Sequence, residues 1–350
     1  MIARAARLGF GTILAILATG AAIARADTCP PLQIIASVRL AYDVSGRPFV
    51  PVTLGTAKKF MLVDTGGALS MIGQTVVDEL QLPHRRAGVR QYGVSGTYSD
   101  QAAEVSPFAI GNLVADHMDL MIAPDKSDFS GEAAGIIGPA ILRNYDAEFD
   151  FGGSKFNLIS QDHCPGKVIY WPAAGIAAIP MRVAKIAGHI VVPVTLDGIT
   201  LNALVDTGAT NTFITSRTAE SNFNLKLGSV DAPDVGPLMG SPGARIYRHT
   251  FHSLSLEGIA VGNPVVGIIP DLMRNAVSNG SPIGSRLSNN DEAVSLEDIT
   301  LGIDVLKHLH LYIAYKEQML YVTPAEPTDA QAPNPATAAA AGTRAPTAPH

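Results

Sequence analysis

Apolar and polar residues alternate in short runs along most of the chain, with turn-forming residues between the runs. The segments "RPFVPVTL" and "KKFMLVD" alternate on either side of Gly55, and "IVVPVTL" and "ITLNALVD" do so on either side of Gly198. Alternation with a period of two predicts β-strands with one buried face, and a two-residue turn containing Gly predicts a hairpin. Residues 140–144 and 304–308 are predicted as helices of one or two turns. The pattern therefore predicts an all-β fold of many short strands.

This pattern occurs twice, half a molecule apart. "VPVTL", followed after eight residues by "VDTG", begins at Val50 and again at Val192, a shift of 142 residues. A second matching pair begins at Ile136 ("IIGPAILRNYDAEFDFGGSKFNLI") and at Thr300 ("TLGIDVLKHLHLYIAYKEQMLYV"), and its shift is 164 residues. The 22 extra residues are expected in the Ser-, Asn- and Gly-rich stretch 275–291, which reads as a surface loop. We predict two β-rich lobes that arose by internal duplication, each closed by a hairpin.

The repeat and the composition divide the chain into segments. We predict an N-terminal lobe over residues 27–165, a Pro-containing interlobe linker over 166–175 and a C-terminal lobe over 176–324. Residues 325–350 are rich in Ala, Pro and Thr. Because such a composition cannot form a core, they are predicted to be a disordered tail.

Residues 1–26 have the form of a secretory signal peptide. Arg4 and Arg7 precede the uncharged stretch 8–24, and Ala24-Arg25-Ala26 is a small-x-small cleavage site. The alternative is an uncleaved membrane anchor, but the apolar stretch is short for a transmembrane helix. We therefore predict cleavage, export to the periplasm or the exterior, and no stable membrane insertion afterwards.

Charge and cysteine content fit an exported protein. The formal net charge is −6, and removal of the first 26 residues, which hold three Arg and no acidic residue, makes it −9. This acidic balance argues against binding to nucleic acid or anionic lipid. Cys29 and Cys164 are the only cysteines. In an oxidising compartment they are predicted to form one disulfide, with two free thiols as the alternative.

The sequence favours neither a metal nor a cofactor. Two cysteines cannot make a zinc-finger site, and the nine His residues show no His-Glu-x-x-His spacing. A pair of carboxylates supplies too few ligands for a calcium cage. No Gly-x-Ser-x-Gly element follows a strand, so a serine hydrolase is not favoured either.

The duplicated Asp-Thr-Gly ends an apolar strand in both halves. The segments "LVDTGGALSMI" and "ALVDTGATNTFI" resemble the catalytic strand-loops of the pepsin/retropepsin aspartic proteases, in a bacterial-type, exported, single-chain form. The resemblance covers residues 46–324 and includes the family's element of two apolar residues and a Gly, here Ile136-Ile137-Gly138. The second copy, Thr300-Leu301-Gly302, departs by its Thr. The resemblance implies two lobes and a cleft between them that binds an extended polypeptide. We expect the protein to be a monomer.

The chemistry of such a pair explains why the motif is duplicated. Two carboxylates a few ångström apart cannot both ionise easily, so they share one proton. One carboxylate is then a base that activates water while the other is an acid. We predict Asp64 and Asp206 as this catalytic pair, which titrates as a unit.

The residues after each Asp are predicted to support the loops. Gly66 and Gly208 allow the backbone to approach the carboxylates closely. The resemblance implies that Thr65 and Thr207 hydrogen-bond across the lobe boundary, although such residues also satisfy local turn groups. Pepsin-like members commonly have Ser or Thr after Asp-Thr-Gly, whereas here Gly67 and Ala209 occupy these positions, Ala209 as in retropepsins.

A substrate-binding flap is predicted over residues 90–100, "RQYGVSGTYSD". By resemblance Tyr92 takes the place of the flap tyrosine, and Gly93 and Gly96 lie in the glycine-rich turn. The alternative is an ordinary exposed hairpin. In the second half "VGPLMGSPGARIYR" is predicted as either a second flap or a loop that lines the cleft.

These features together predict an exported aspartic endopeptidase. The alternative is a non-catalytic peptide-binding protein with the same two-lobed fold. Both Asp residues are present in the sequence, which favours the enzyme.

Overall fold

A computed structural model of the chain describes residues 29–92, 98–124, 133–173, 175–184, 188–238, 243–271 and 297–326. The predicted signal peptide, the stretch 275–291 and the tail from residue 327 onward lie outside these ranges. Among the described residues, none of the helices has the length and apolar character needed to span a bilayer.

The described chain consists of short strands and a few short helices, as the all-β prediction required. The first half contains β1 Ile34–Arg39, β2 Ala41–Tyr42, β3 Pro48–Leu54, β4 Ala57–Val63, β5 Met71–Ile72, α1 Gln74–Leu80, β6 His84–Tyr92, β7 Tyr98–Val105, β8 Phe108–Ile110, β9 Leu113–Ala115, β10 Met118–Ile122, β11 Ala133–Ile137, α2 Pro139–Leu142, β12 Asp146–Asp150 and β13 Lys155–Ile159.

The second half repeats this series of elements. It contains β14 Ala177–Pro180, β15 Arg182–Val183, β16 Ile190–Leu196, β17 Ile199–Val205, β18 Phe213–Thr215, α3 Ser216–Phe223, β19 Asp234–Pro237, β20 Arg245–Thr250, β21 Ser253–Leu256, β22 Ile259–Gly262, β23 Val265–Ile269, β24 Ile299–Leu301, α4 Ile303–Leu306, β25 Leu309–Ala314 and β26 Met319–Pro324.

Each half forms its own sheet, and the two sheets have the same strand order. The first runs β6-β7-β10-β5-β11-β4-β3-β8-β9, with β2 paired to β3. The second runs β19-β20-β23-β18-β24-β17-β16-β21-β22, with β15 paired to β16. Every strand of one sheet has a counterpart at the same place in the other. The fold is therefore two β-rich lobes of one architecture, which confirms the prediction drawn from the repeat.

The repeated "VPVTL" segment forms the first strand of a hairpin in both lobes. β3 pairs antiparallel with β4, and β16 pairs antiparallel with β17. The inward-facing residues of β3 and β16 are buried, whereas Pro51 and Pro193 point outward and are exposed. Burial of alternate Val and Leu side chains drives this pairing and leaves the ends of β4 and β17 in the interior.

A third sheet joins the lobes. Its order is β1-β13-β12-β25-β26-β14, so three strands come from each half. β12 and β25 meet at the centre as antiparallel neighbours. One face presents Phe149, Phe156 and Leu311 to the main core, where all three are fully buried. This sheet ties the two lobe cores into one hydrophobic cluster.

The opposite face of the joining sheet is polar and is covered by the segment predicted as the linker. Val168 is fully buried there, and the Trp171 ring stacks on His310 with centroids 3.9 Å apart. The Tyr170 hydroxyl donates to buried Glu148. The connection between the lobes is thus packed against the sheet.

The short helices differ slightly from the sequence expectation. α2 and α4 each begin one residue before, and end two residues before, the predicted ranges 140–144 and 304–308. Pro139 starts α2, which suits it because the first helical N–H has no intrahelical acceptor. The following residues continue in turns rather than helix, as in the bond from the His308 N–H to the Val305 carbonyl.

The two ends of the described chain are fixed to the body. Cys29 and Cys164 form a disulfide, with Cα atoms 5.0 Å apart. It ties the start of the described chain to Cys164, two residues before the segment predicted as the linker. At the other end the Ala325 N–H donates to the His308 carbonyl.

Candidate active site

The two Asp-Thr-Gly loops begin where the paired hairpins end. β4 ends at Val63 and β17 at Val205, and each is followed directly by the Asp. A parallel neighbour, β11 or β24, lies beside each strand. The Asp64 N–H donates to the Ile137 carbonyl at 3.0 Å, and the Asp206 N–H donates to the Leu301 carbonyl at 3.1 Å. The element of two apolar residues and a Gly therefore fixes the backbone of each Asp.

The two carboxylates meet at the lobe boundary. A Cβ atom added to Gly66 would lie 2.2 Å from Cγ of Asp206, and one added to Gly208 would lie 2.5 Å from Cγ of Asp64. The carboxyl group of each Asp thus rests against the Gly of the opposite loop. The Asp64 side chain is close enough to Asp206 to affect its pKa. Only residues without a side chain permit this approach.

Each loop also holds its own carboxylate with backbone N–H groups. The N–H groups of Gly66 and Gly67 donate to Asp64 Oδ1 at 2.9 and 2.8 Å. Those of Gly208 and Ala209 donate to Asp206 Oδ1 at 2.8 and 3.1 Å. These bonds orient the Oδ1 atoms.

Burial and the proximity of Asp64 perturb the titration of Asp206. Burial raises the pKa of Asp206 well above its usual value, and the charge of Asp64 and its hydrogen bond raise this pKa further. The N–H bonds from Gly208 and Ala209 favour the ionised form and only partly offset these effects. The pair can therefore hold a proton at pH values where an isolated Asp would be ionised.

Thr65 and Thr207 join the two loops by hydrogen bonds. The Thr65 hydroxyl donates to the Val205 carbonyl at 2.7 Å, and the Thr207 hydroxyl donates to the Val63 carbonyl at 2.6 Å. Both Thr residues are fully buried. These bonds cross from one lobe to the other and end on the residue that precedes each Asp.

The family model described as "Aspartyl protease" matches residues 50–139 and 192–305, more than half of the chain. The chain belongs to the aspartyl protease family. The two matched segments contain one Asp-Thr-Gly loop each, which agrees with the duplication.

Solved structures that match the chain include the aspartic proteinase from Irpex lacteus, with 14% identity and a TM-score of 0.49. That match covers 84% of this chain and 98% of the other. Basic 7S globulin from soybean has 10% identity and a TM-score of 0.48, with coverage of 84% and 95%. No curated protein matches the chain.

The predicted flap lies on a hairpin in this member of the aspartyl protease family. β6 pairs antiparallel with β7, and Tyr92 pairs with Tyr98 at the end of the ladder. The Tyr92 side chain and the turn with Gly93 and Gly96 lie outside the described residues. The guanidinium of Arg90 lies 4.9 Å from the centroid of the Tyr98 ring.

The second lobe has a hairpin in the corresponding place. β19 pairs with β20, and β20 lies beside β23 just as β7 lies beside β10. The segment "VGPLMGSPGARIYR" forms parts of β19 and β20, and residues 239–242 lie outside the described ranges.

Three residues near the loops were not identified from the sequence. The hydroxyls of Ser70 and Thr212 accept the N–H groups of Gly138 and Gly302, each at 3.0 Å. Asp304 binds Thr212 in the second lobe. The 142-residue shift, which relates Ser70 to Thr212, was the signal that could have revealed the first two. Within the described ranges, no group of three or more His, Cys, Asp or Glu side chains is arranged to hold a metal ion.

Proposed function

We propose that the mature chain is an exported aspartic endopeptidase that hydrolyses peptide bonds with a water molecule activated between Asp64 and Asp206. The observation that supports this most directly is the contact of the two carboxylates, each against the Gly of the other loop. Membership of the aspartyl protease family points to the same activity.

The reaction needs a base and an acid at one pH. With one proton on the pair, the ionised carboxylate takes a proton from the water as its oxygen attacks the peptide carbonyl carbon. The protonated carboxyl group donates to the carbonyl oxygen at the same time. The raised pKa of Asp206 keeps the shared proton available.

The substrate is proposed to be an extended polypeptide bound between the lobes, with the hairpins β6–β7 and β19–β20 as candidate flaps. Thr65, Gly66, Thr207 and Gly208 are proposed as supports of the catalytic loops. Because one chain supplies both carboxylates, a monomer is sufficient for activity.

Export is supported by the disulfide between Cys29 and Cys164, since disulfides persist in oxidising compartments. N-terminal sequencing of protein recovered from outside the cytoplasm tests this part of the proposal. Sequence beginning at Asp27 is expected, and an intact Met1 would refute cleavage.

The activity is tested with purified mature protein on denatured casein, with and without the aspartic-protease inhibitor pepstatin. We expect cleavage by the wild type and none by Asp64→Asn or Asp206→Asn, with circular dichroism spectra unchanged. A wild type that binds casein peptides without cutting them would support the non-catalytic alternative. More than a few per cent of residual activity in either variant would refute the assignment of the pair.

A further inference from the structure

We propose that Asp304 is a positioning residue for Asp206, and that it anchors the second catalytic loop in a way that the first loop lacks. This inference rests on the proposed function for its consequence in catalysis. The evidence for the anchor is the set of hydrogen bonds that join α4 to the loop after Asp206.

Asp304 binds the loop through Thr212, six residues after Asp206. The Thr212 N–H donates to Oδ1 and Oδ2 of Asp304 at 2.9 and 3.0 Å, and the Thr212 hydroxyl donates to Oδ1 at 2.7 Å. The Val305 N–H also donates to Oδ1 at 2.9 Å. Three of these four contacts come from Thr212, so the Asp304 side chain ties α4 to the loop.

From this anchor a chain of hydrogen bonds leads to the Asp206 carboxylate. The N–H of Ile303, next to Asp304 in α4, donates to the Ala209 carbonyl at 2.8 Å. The Ala209 N–H in turn donates to Asp206 Oδ1 at 3.1 Å. The Thr212 hydroxyl also receives the Gly302 N–H at 3.0 Å. Ala209 and Thr212, which both follow Asp206, are therefore bound to the same short segment, 302–304.

The first lobe keeps only part of this arrangement. Ser70 receives the Gly138 N–H at 3.0 Å, as Thr212 receives that of Gly302. The 164-residue shift, however, places Ala140 opposite Asp304 and Pro139 opposite Ile303. Ala140 has no side-chain acceptor and Pro139 has no N–H to donate. The carboxylate anchor and the bond to the loop carbonyl therefore belong to the second lobe.

This difference has a consequence for a reaction that depends on geometry. A shared proton and an attacking water require the two carboxylates to stay in a fixed mutual orientation, and a displacement of about 1 Å can cost about a hundredfold in rate. The bonds from α4 therefore fix the position of Asp206. Asp64 is oriented relative to it through the Thr65–Thr207 contact.

The kinetic test compares Asp304→Ala with Asp304→Asn, which keeps a carbonyl oxygen for the Thr212 N–H and hydroxyl. We expect kcat of Asp304→Ala to fall about tenfold to a hundredfold with KM within about twofold, and Asp304→Asn to recover most of kcat. Asp298→Ala is the matched control. It removes a carboxylate of the same lobe that accepts the Asn202 N–H at 2.9 Å, and it should leave kcat unchanged.

A second readout does not need activity. Amide hydrogen exchange, measured well below the unfolding temperature, should accelerate about tenfold or more at Gly208 and Ala209 in Asp304→Ala. It should stay unchanged at Gly66 and Gly67. Should Asp304→Ala not fold, Thr212→Val, which removes the linking hydroxyl, is expected to show the same pattern.

The outcomes separate the two proposals. Faster exchange at Gly208 and Ala209 in a protein without proteolytic activity would support the anchor and refute the proposed function. Unchanged exchange at these amides would overturn the anchor whatever the activity. A lower unfolding temperature with unchanged kcat would likewise overturn it, because the role of Asp304 would then be structural alone.

Discussion

The N–H of Thr65 donates to the hydroxyl of Thr207 at 3.2 Å, and the N–H of Thr207 donates to the hydroxyl of Thr65 at 3.1 Å. The two residues are 142 positions apart, the shift of the internal repeat. A reciprocal contact of this kind follows from the similarity of the two lobes, because each loop both donates and accepts the same type of hydrogen bond.

Thr207→Val is expected to lower the free energy of unfolding by about 2–4 kcal/mol, since it leaves the buried Thr65 N–H and Val63 carbonyl without their bonds to the hydroxyl. Urea unfolding at constant m-value measures the change. Thr207→Ser keeps the hydroxyl and should cost about 1 kcal/mol for the lost methyl group. Equal losses in the two variants would show that the hydroxyl contributes nothing across the boundary.

Gly208→Ala is expected to reduce kcat/KM at least about a hundredfold, because the new Cβ would lie 2.5 Å from Cγ of Asp64 and must displace the carboxylate. Gly66→Ala should act in the same way on Asp206. Kinetics on a fluorogenic peptide measure the loss. Gly262→Ala is the control, since its Cβ would meet no atom within 4 Å. Activity above about a tenth of wild type in Gly208→Ala would contradict the packing of the loops.

The sequence predicted the structural elements that occur in both halves of the chain. The hairpins, the element of two apolar residues and a Gly, and the Asp-Thr-Gly loops lie at fixed shifts, so one half explains the other. The contact of Asp304 with Thr212 could not be predicted, since it lacks a counterpart in the first half and joins residues 92 positions apart.

The burial of the polar face of the joining sheet could not be predicted from the sequence either. His310 Nε2 lies 2.8 Å from Glu148 Oε1, and His163 Nε2 lies 2.6 Å from Asp146 Oδ2. All four residues are buried. Charged residues on alternate positions of β12 indicate a solvated face when the sequence is read alone. They are buried because the linker segment passes over this face of the sheet.

Glu148 is expected to make the fold sensitive to acid. Burial raises the pKa of Glu148, but the bonds from His310, Asn157 and Tyr170 together outweigh it, so the pKa lies below its usual value near 4.5. A lowered pKa in the folded state stabilises the fold above the unfolded-state value, and this stabilisation is lost as pH falls through the folded-state pKa. Urea unfolding between about pH 6 and 3 should show a steeper loss in the wild type than in Glu148→Gln.

Asp146→Asn is the matched comparison on the same strand. Burial is the largest effect on Asp146 and raises its pKa despite bonds from His163 and Tyr312. Its contribution therefore has the opposite sign: it is present at low pH and lost as pH rises through the folded-state pKa. Removing Asp146 should make the acid-induced loss of stability steeper. The same pH dependence in Glu148→Gln, Asp146→Asn and the wild type would show that neither group titrates differently on folding.

The last prediction concerns the pH dependence of catalysis. Gly67 and Ala209 follow the two Asp-Thr-Gly motifs and have no side-chain donor for the carboxylates. Burial and the charge of Asp64, which raise the pKa of Asp206, are opposed only by backbone N–H groups. The pair should therefore hold its shared proton to a higher pH than in relatives with a hydroxyl there, and we expect a bell-shaped kcat/KM profile with an optimum at roughly pH 4–6.

Ala209→Ser tests the cause of this optimum. In the first loop a Cβ at Gly67 would lie 3.1 Å from Asp64 Oδ2, so a hydroxyl on the equivalent residue 209 is within reach of Asp206. Its hydrogen bond would stabilise the ionised form and move the acid limb of the profile to lower pH. The profile is measured on a peptide without titrating groups. An optimum near pH 2 in the wild type, or an unmoved acid limb in a folded Ala209→Ser whose hydroxyl is seen bonded to Asp206, would contradict this account, because the missing hydroxyl would then not set the titration of the pair.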